Sequence, residues 1–132
     1  MSGFFTSRWV PRPDHVAEAA DDTLPAGFRA AGVAAGIKPS GALDVGLLVC
    51  DAPDAVSAAR FTSSAVVAAP VQVTRERARL DRLRAVVVNS GNANAATGRL
   101  GLDEAARVQG AGAMAAGGAA EQVAVAPTGV IG

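Results

Sequence analysis

The stretch AVVVNSGNANAATG at residues 85–98 gives the clearest indication of the fold, because an apolar run passes there into a loop of Asn, Gly and Ala. Residues 85–89 predict a buried strand, and since its valines do not alternate with polar residues we expect both faces to be covered. Residues 90–102 are predicted to form a loop, because Asn and Gly readily adopt left-handed backbone angles.

A helix and a further strand are predicted after this loop. Asp103 is a candidate N-cap for a helix that runs to about Ala116, and the glycine pair at 117–118 ends it. The apolar residues 123–126 predict the last strand. Strands and helices therefore alternate in the second half of the chain, which predicts an α/β fold with mixed layers of sheet and helix.

The first half of the chain is rich in Gly and Ala, and its elements are less distinct. Residues 25–41 predict an extended segment broken by turns, because glycine is too frequent there for a stable helix. The elements predicted after it are strands at 43–50, 55–62 and 65–74 and a short polar helix at 75–83. Pro70 would place its strand at an edge or a bend, since proline donates no backbone hydrogen bond.

Length and composition bound the domain organisation. The chain has 132 residues, which fits one domain or part of one. Half of the residues are apolar, but Ala is the most common of them, so we expect a core of small side chains. Residues 1–24 carry the only Trp and the only His, and a poorly ordered leader is expected there. Residues 25–132 are expected to form the folded unit.

Charge and cysteine content exclude several classes of function. The 12 basic and 12 acidic side chains give a net charge of zero, which argues against a nucleic-acid or membrane binder. A single Cys cannot form an internal disulfide, and one Cys with one His cannot supply the four ligands of a structural zinc site. No metal or other cofactor is expected. The arginine-rich residues 75–84 contain no aromatic residue and are interpreted as a solvated surface. No apolar run reaches the roughly 20 residues of a membrane span, so the cytoplasm is the expected location.

Two loops are candidates for chemistry. Residues 89–98 could direct several N–H groups at an anion, although such Asn/Gly loops are more often plain surface turns. At the end of the last predicted strand, Thr128 offers a hydroxyl and Gly129 offers an unobstructed backbone N–H. Two neighbouring donors can stabilise a developing oxyanion, but Thr and Gly are also common in ordinary turns. The residues alone leave both alternatives open.

Four stretches, taken in order, resemble the ornithine acetyltransferases, which are the glutamate N-acetyltransferases of arginine biosynthesis. They are PAGFRAAGVAAGIKPSG at 25–41, FTSSAVVAAPV at 61–71, AVVVNSGNANAATG at 85–98 and VAVAPTGVIG at 123–132. The NSGNAN loop and the TGVIG segment are specific in combination. The resemblance covers residues 25–132 in register.

The resemblance implies the N-terminal portion of a self-processing acetyltransferase fold. Family members cut themselves at an Ala-Thr bond, and the new N-terminal Thr of the second (β) chain is the nucleophile, with its own α-amine as general base. This Thr takes acetyl from N2-acetylornithine and passes it to glutamate through an acetyl-enzyme. In the family motif a Thr-Gly pair forms the oxyanion hole, which here corresponds to Thr128 and Gly129. The implied partners are these small substrates and the β chain, in a hetero-oligomer of α and β chains.

The sequence also departs from the family pattern. Pro127 stands where the family usually has Ser, Val67 where Lys is usual and Ala96 where Cys is common. The cut site and the nucleophile lie beyond the TGVIG segment, at which this sequence stops. We therefore expect a chain that supplies the oxyanion hole, lacks the nucleophile and is inactive alone. The alternative is a degenerate, non-catalytic fragment that binds a metabolite or acts as an assembly partner.

Overall fold

The structure is a computed structural model that describes residues 13–17, 20 and 23–131. Its elements are β1 (Phe28–Val33), β2 (Val45–Cys50), α1 (Ala69–Arg77), β3 (Ala85–Asn92), α2 (Gly98–Ala116) and β4 (Val123–Val130), with a 3-10 turn at Ala120–Gln122. This arrangement confirms the predicted α/β fold class with mixed layers.

The strands of the described residues form one sheet in the order β1-β2-β3-β4. β1, β2 and β3 are successive antiparallel neighbours, whereas β4 joins β3 in parallel. A parallel pair needs a crossover connection, and α2 supplies it. α1 packs on α2 and contacts β4, so that the helices form a layer on one face of the sheet.

The core lies between α2 and the central strands. Its buried members are small side chains, namely Val49, Ala85, Val87, Ala113, Val123 and Val125. The register pairs Val87 with Val125, so these two valines lie on the same face of the sheet, the face that α2 covers. The prediction of a core of small side chains is thereby confirmed.

The structure contains the predicted extended segment, as β1, and three of the predicted strands. These are the strands predicted at 43–50, 85–89 and 123–126, which correspond to β2, β3 and β4. β3 and β4 are longer than predicted and continue to Asn92 and Val130, because the two strands remain paired along their whole length. The segment that carries the candidate residues is thus part of the sheet and not a free turn.

α2 begins at Gly98, ahead of the predicted N-cap Asp103. The turn of α2 ahead of Asp103 is helical because Leu102 packs against the buried residues where α1 and α2 meet. Burial of this leucine outweighs the preference of Asp for an N-cap position. The helix ends at Gly117, as predicted.

The strand predicted at 55–62 is wrong, because these residues form an irregular loop. The loop is held by a side chain in place of a strand ladder. The Ser57 hydroxyl donates to the Leu80 carbonyl at 2.8 Å and accepts the Leu83 N–H at 2.7 Å. A polar residue in the middle of the apolar run thus supplies the hydrogen bonds that a neighbouring strand would have made.

The strand predicted at 65–74 and the helix predicted at 75–83 are also wrong, because α1 lies across their junction. Pro70 is in the first turn of α1, where its missing N–H removes no hydrogen bond. Ala69 and Val73 are one helical turn apart and both are buried against Ala105 of α2. Packing on α2 therefore overrides the strand preference of the valines in this segment.

The expectation that β3 is covered on both faces is wrong for the described residues. Val87 is 7% exposed on the helix side, whereas Val88 is 41% exposed on the opposite face. Both helices lie on one face, so the other face has no covering layer in the region of Val88.

The leader expected at residues 1–24 falls mostly outside the described residues, and the boundary at residue 25 stays a prediction. Among the residues that the structure does describe, no helix is long and apolar enough to cross a membrane.

Candidate active site

The candidate residues Thr128 and Gly129 lie near the end of β4, where this strand pairs with the end of β3. Thr128 is the register partner of Ser90, and Gly129 is the register partner of Gly91. A Cβ atom added at Gly129 would overlap the carbonyl carbon of Gly91, and the φ of Gly129 is +137°. Glycine is therefore required here both by the spacing of the strands and by the backbone angle.

The N–H of Gly129 points away from the sheet. In a parallel pair, alternate residues direct their N–H and C=O groups to the same side of the strand. Val130 accepts the Ala93 N–H through its carbonyl at 2.9 Å, so the even-numbered residues of β4 face β3. Gly129, like Val125, therefore faces the outer edge of β4, which has no neighbouring strand among the described residues.

The outer edge of β4 is closed by hydrogen bonds ahead of Gly129. Val123 donates its N–H to the Ala120 carbonyl and accepts Gln109 Nε2 at 3.0 Å. Val125 donates its N–H to the buried Thr74 hydroxyl at 3.0 Å. Such capping is a common protection of an exposed strand edge.

Pro127 is the next residue of β4 that faces outward, and it has no N–H to donate. Proline at this position therefore removes no hydrogen bond from the sheet, so the strand accommodates it. Of the outward-facing residues of β4 that follow Val125, Gly129 is therefore the one whose N–H remains available to bind an anion.

Thr128 is exposed and lies on the face of the sheet opposite the helices, because its register partner Ser90 is an even-numbered residue like the exposed Val88. Thr128 and Gly129 are thus neighbouring exposed residues at one corner of the sheet. A separate cavity of about 420 Å³, whose lining includes Asn89 and Pro127, lies on the helix side. Neither Thr128 nor Gly129 lines this cavity.

The asparagine loop stands next to this corner and is held by its own side chains. Asn89 Nδ2 donates to the Asn92 carbonyl at 2.8 Å, and Asn92 Oδ1 accepts the Asn94 N–H at 2.7 Å. Asn94 in turn bonds the Gly101 carbonyl and the Thr97 hydroxyl, at 2.8 and 2.6 Å. These contacts favour the interpretation of residues 89–98 as a support for β3 and α2 over an anion nest.

Asp44 is a buried carboxylate near this corner, with 3% of its surface exposed. It accepts the backbone N–H groups of Ala35, Ile37 and Lys38 at 2.6, 2.6 and 2.9 Å. The bond from Ala35 is the main cause that lowers the pKa of Asp44, followed by the bond from Lys38, and together these bonds outweigh the opposing effect of burial. The carboxylate fixes the loop that contacts Gly91 through Ile37.

Sequence reasoning missed Asp44 and Thr74, and it singled out Ser90 only as a member of the loop at 89–98. A single acid before an apolar strand was a signal for Asp44, but its three donors come from a turn whose shape is not visible in the sequence. Thr74 was hidden inside a predicted strand. Ser90 gains its position from the register with Thr128, which only the fold establishes. No group of three His, Cys, Asp or Glu side chains suited to a metal occurs in the part of the chain that the structure describes.

The model of the ArgJ family matches residues 29–132, and this span contains the corner formed by β3 and β4. The chain belongs to the ArgJ family. Curated ArgJ relatives named "Arginine biosynthesis bifunctional protein ArgJ" support this. That of Mycobacterium tuberculosis is 50% identical over 115 residues, and that of Thermobifida fusca is 46% identical over 110 residues.

Solved ArgJ structures share the fold. Ornithine acetyltransferase from Mycobacterium tuberculosis, solved in complex with ornithine, is 50% identical with a TM-score of 0.73, and the match covers 82% of this chain and 58% of that chain. The Bacillus halodurans ArgJ protein is 44% identical with a TM-score of 0.73, over 81% of this chain and 56% of that one. The chain nevertheless spans less than a third of the curated relatives, with 83% of this chain matching 28% of the Mycobacterium tuberculosis sequence.

Proposed function

We propose that this chain is the N-terminal part of an ornithine acetyltransferase, which transfers acetyl from N2-acetylornithine to glutamate through an acetyl-threonine enzyme. Its contribution to catalysis is the oxyanion hole, with the Thr128 hydroxyl and the Gly129 N–H as the two donors. The observation that carries the proposal is the outward-facing N–H of Gly129 beside an exposed Thr hydroxyl, in a member of the ArgJ family.

The chemistry needs these donors at one step. A threonine hydroxyl attacks the acetyl carbonyl, its proton passes to the base, and the carbonyl oxygen becomes an oxyanion. When the tetrahedral intermediate collapses, the ornithine amine leaves with a proton and the acetyl group stays on the threonine. The reverse sequence with the glutamate amine regenerates the free threonine. Each donor to the oxyanion contributes about 3 kcal/mol of transition-state stabilisation in precedents.

The nucleophile is proposed to lie on a second chain. The same Mycobacterium tuberculosis protein supports this, because the match covers 28% of its curated sequence but 58% of its solved chain. The solved chain is therefore about half as long as the full sequence. Cleavage of the full sequence into two chains would produce a chain of about this length. The exposed corner at Thr128 is where we place the contact with that second chain, and the assembly would act in the cytoplasm.

The substrate proposal agrees with the ornithine complex of the Mycobacterium tuberculosis enzyme. A chimera tests the proposal, with residues 29–132 of this chain replacing the matching segment of that enzyme. We expect the chimera to acetylate glutamate with acetylornithine as donor, and the 132-residue chain alone to show no transfer. A chimera that folds and assembles but transfers no acetyl would contradict the proposal, as would activity of the chain alone.

The alternative of a non-catalytic, metabolite-binding fragment predicts a different result. Such a fragment would bind acetylornithine or glutamate without a second chain. Calorimetry of the chain alone separates the two accounts, since the proposed function predicts no saturable heat with either compound.

A further inference from the structure

We propose that Asp44 is a positioning residue for Gly129, because its carboxylate holds Ile37 against Gly91, the residue on which Gly129 packs. This inference rests on the proposed function and deepens it. The contacts lead from a buried carboxylate, through one loop, to the N–H that the proposed function assigns to the oxyanion hole.

The two glycines at the end of the strand pair need support from outside the pair. Gly91 and Gly129 are register partners with φ angles of +119° and +137°. Glycine has the widest backbone freedom of any residue, so two paired glycines do little to fix the end of a strand. An oxyanion donor, in contrast, has to be fixed before the reaction starts. The direction of the Gly129 N–H therefore depends on what holds Gly91.

The loop between β1 and β2 supplies this support. A Cβ atom added at Gly91 would lie 2.8 Å from Ile37 Cγ2 and 3.5 Å from Lys38 Cγ, whereas one added at Gly129 would overlap the carbonyl carbon of Gly91. Gly91 is thus in contact with both this loop and β4. Ile37 is 38% exposed, so burial in the core does not fix its side chain and the loop backbone has to place it.

Asp44 fixes the backbone of this loop. Its carboxylate accepts three N–H groups of the loop, including that of Ile37 at 2.6 Å. Its own N–H donates to the Val33 carbonyl at 3.0 Å, and its carbonyl accepts the Ser90 N–H at 2.8 Å. Hydrogen bonds to an ionised carboxylate are stronger than those between neutral groups. Asp44 therefore joins β1, the loop and β3 at the residue next to Gly91.

Backbone dynamics of the 132-residue chain are the first test, because ¹⁵N relaxation measures them without any need for activity. In the unchanged chain we expect the N–H groups of Gly91 and Gly129 to have order parameters of about 0.85, typical of rigid backbone. In Ile37→Ala and in Asp44→Asn these values should fall below about 0.6.

Ile37→Val is the matched control for this measurement. It keeps Cγ2, the atom that contacts Gly91, and should retain the rigid values. The comparison of Ile37→Ala with Ile37→Val decides the outcome even where Asp44→Asn does not fold, because Ile37 lies outside the buried core. Order parameters that are the same in Ile37→Ala and the unchanged chain would overturn the inference.

Kinetics of the chimera are the second test, with each rate referred to the concentration of folded enzyme. Ile37→Ala and Asp44→Asn should each lower kcat about tenfold with KM unchanged, since a displaced catalytic group costs rate. The double variant should lose no more than the larger single loss, because Asp44 acts through Ile37. Asp54→Asn changes an exposed carboxylate in the loop after β2 and should leave kcat unchanged.

The outcomes separate this inference from the proposed function. If Thr128→Ala lowers kcat but Ile37→Ala and Asp44→Asn do not, or if the losses of these two variants multiply, the positioning role of Asp44 is wrong and the oxyanion hole stands. If Thr128→Ala itself leaves kcat unchanged, the proposed function fails, whatever the order parameters of the two glycines are.

Discussion

Gly91 and Gly129 face each other across the parallel pair of β3 and β4, so closely that Gly129 has no room for a side chain. A Cβ atom at Gly129 would overlap the Gly91 carbonyl carbon, and one at Gly91 would lie 2.8 Å from Ile37 Cγ2. This contact sets the spacing of the strands next to Thr128. Two dipeptides thus pair across the strands, namely Thr128-Gly129 of the TGVIG segment and Ser90-Gly91 of the NSGNAN loop.

Gly129→Ala should damage the fold and not only the oxyanion hole. The added methyl group meets backbone atoms that cannot move aside, and φ is also strained, so we expect a loss of at least about 2 kcal/mol in the free energy of unfolding. Urea denaturation measures this loss. Gly36→Ala is the matched control, because Gly36 has a φ of +86° but open space around it. It should lose only about 1 kcal/mol from the strained angle, and equal losses in the two variants would contradict the close contact.

The free N–H of Gly129 therefore cannot be tested by an alanine substitution. Replacement of the amide by an ester at this position removes the donor without adding a side chain. Thr128 remains the donor that ordinary mutagenesis can test.

Thr74→Val should destabilise the chain at the outer edge of β4. The substitution keeps the shape of the side chain but leaves the Val125 N–H without its buried partner, which costs about 1–3 kcal/mol. Thr74→Ser keeps the hydroxyl and should lose about 1 kcal/mol for the missing methyl group. Unfolding of the three proteins in urea compares them, and a Thr74→Val protein as stable as the unchanged chain would refute the capping role.

Asp44 should make the stability of the chain depend on pH in the acid range. The folded state lowers the pKa of Asp44, so the unfolded state takes up the proton first as the pH falls. Its contribution is complete above the ordinary pKa of 3.8 and is lost as the pH drops through the lowered value. Thermal unfolding from pH 7 to pH 3 measures this decline.

Asp44→Asn provides the comparison for this prediction. It should be less stable than the unchanged chain at pH 7, and the difference should shrink in acid. Asp54→Asn changes an exposed carboxylate on a loop and should run parallel to the unchanged chain. A stability difference for Asp44→Asn that is constant from pH 7 to pH 3 would contradict the prediction.

The second half of the fold could be predicted because its signals are local. Four apolar residues before Asn89 indicate a strand, and the glycine pair at 117–118 ends a helix wherever that helix packs. α1 could not be predicted in this way. Its helical state depends on the contact of Val73 with Ala105, which lies far along the chain, and the local valines favour a strand.

The candidate site shows the same division. The chemistry of Thr128 and Gly129 is visible in the sequence, because a hydroxyl and an unobstructed N–H stand side by side. The direction of that N–H is not visible, since it depends on the parallel register with Gly91 and on which residues of β4 face β3.

The central claim is that Thr128 donates to the oxyanion, and its most direct test is the acetyl-transfer rate of the chimera that carries residues 29–132. Thr128→Ala should lower kcat about 100- to 1000-fold, the loss expected for one donor, while Thr128→Ser should stay within about tenfold because it keeps the hydroxyl. Both variants should unfold at the same urea concentration as the unchanged chimera, because the Thr128 side chain is exposed. An unchanged kcat in Thr128→Ala, measured at saturating acetylornithine and glutamate, would contradict the account.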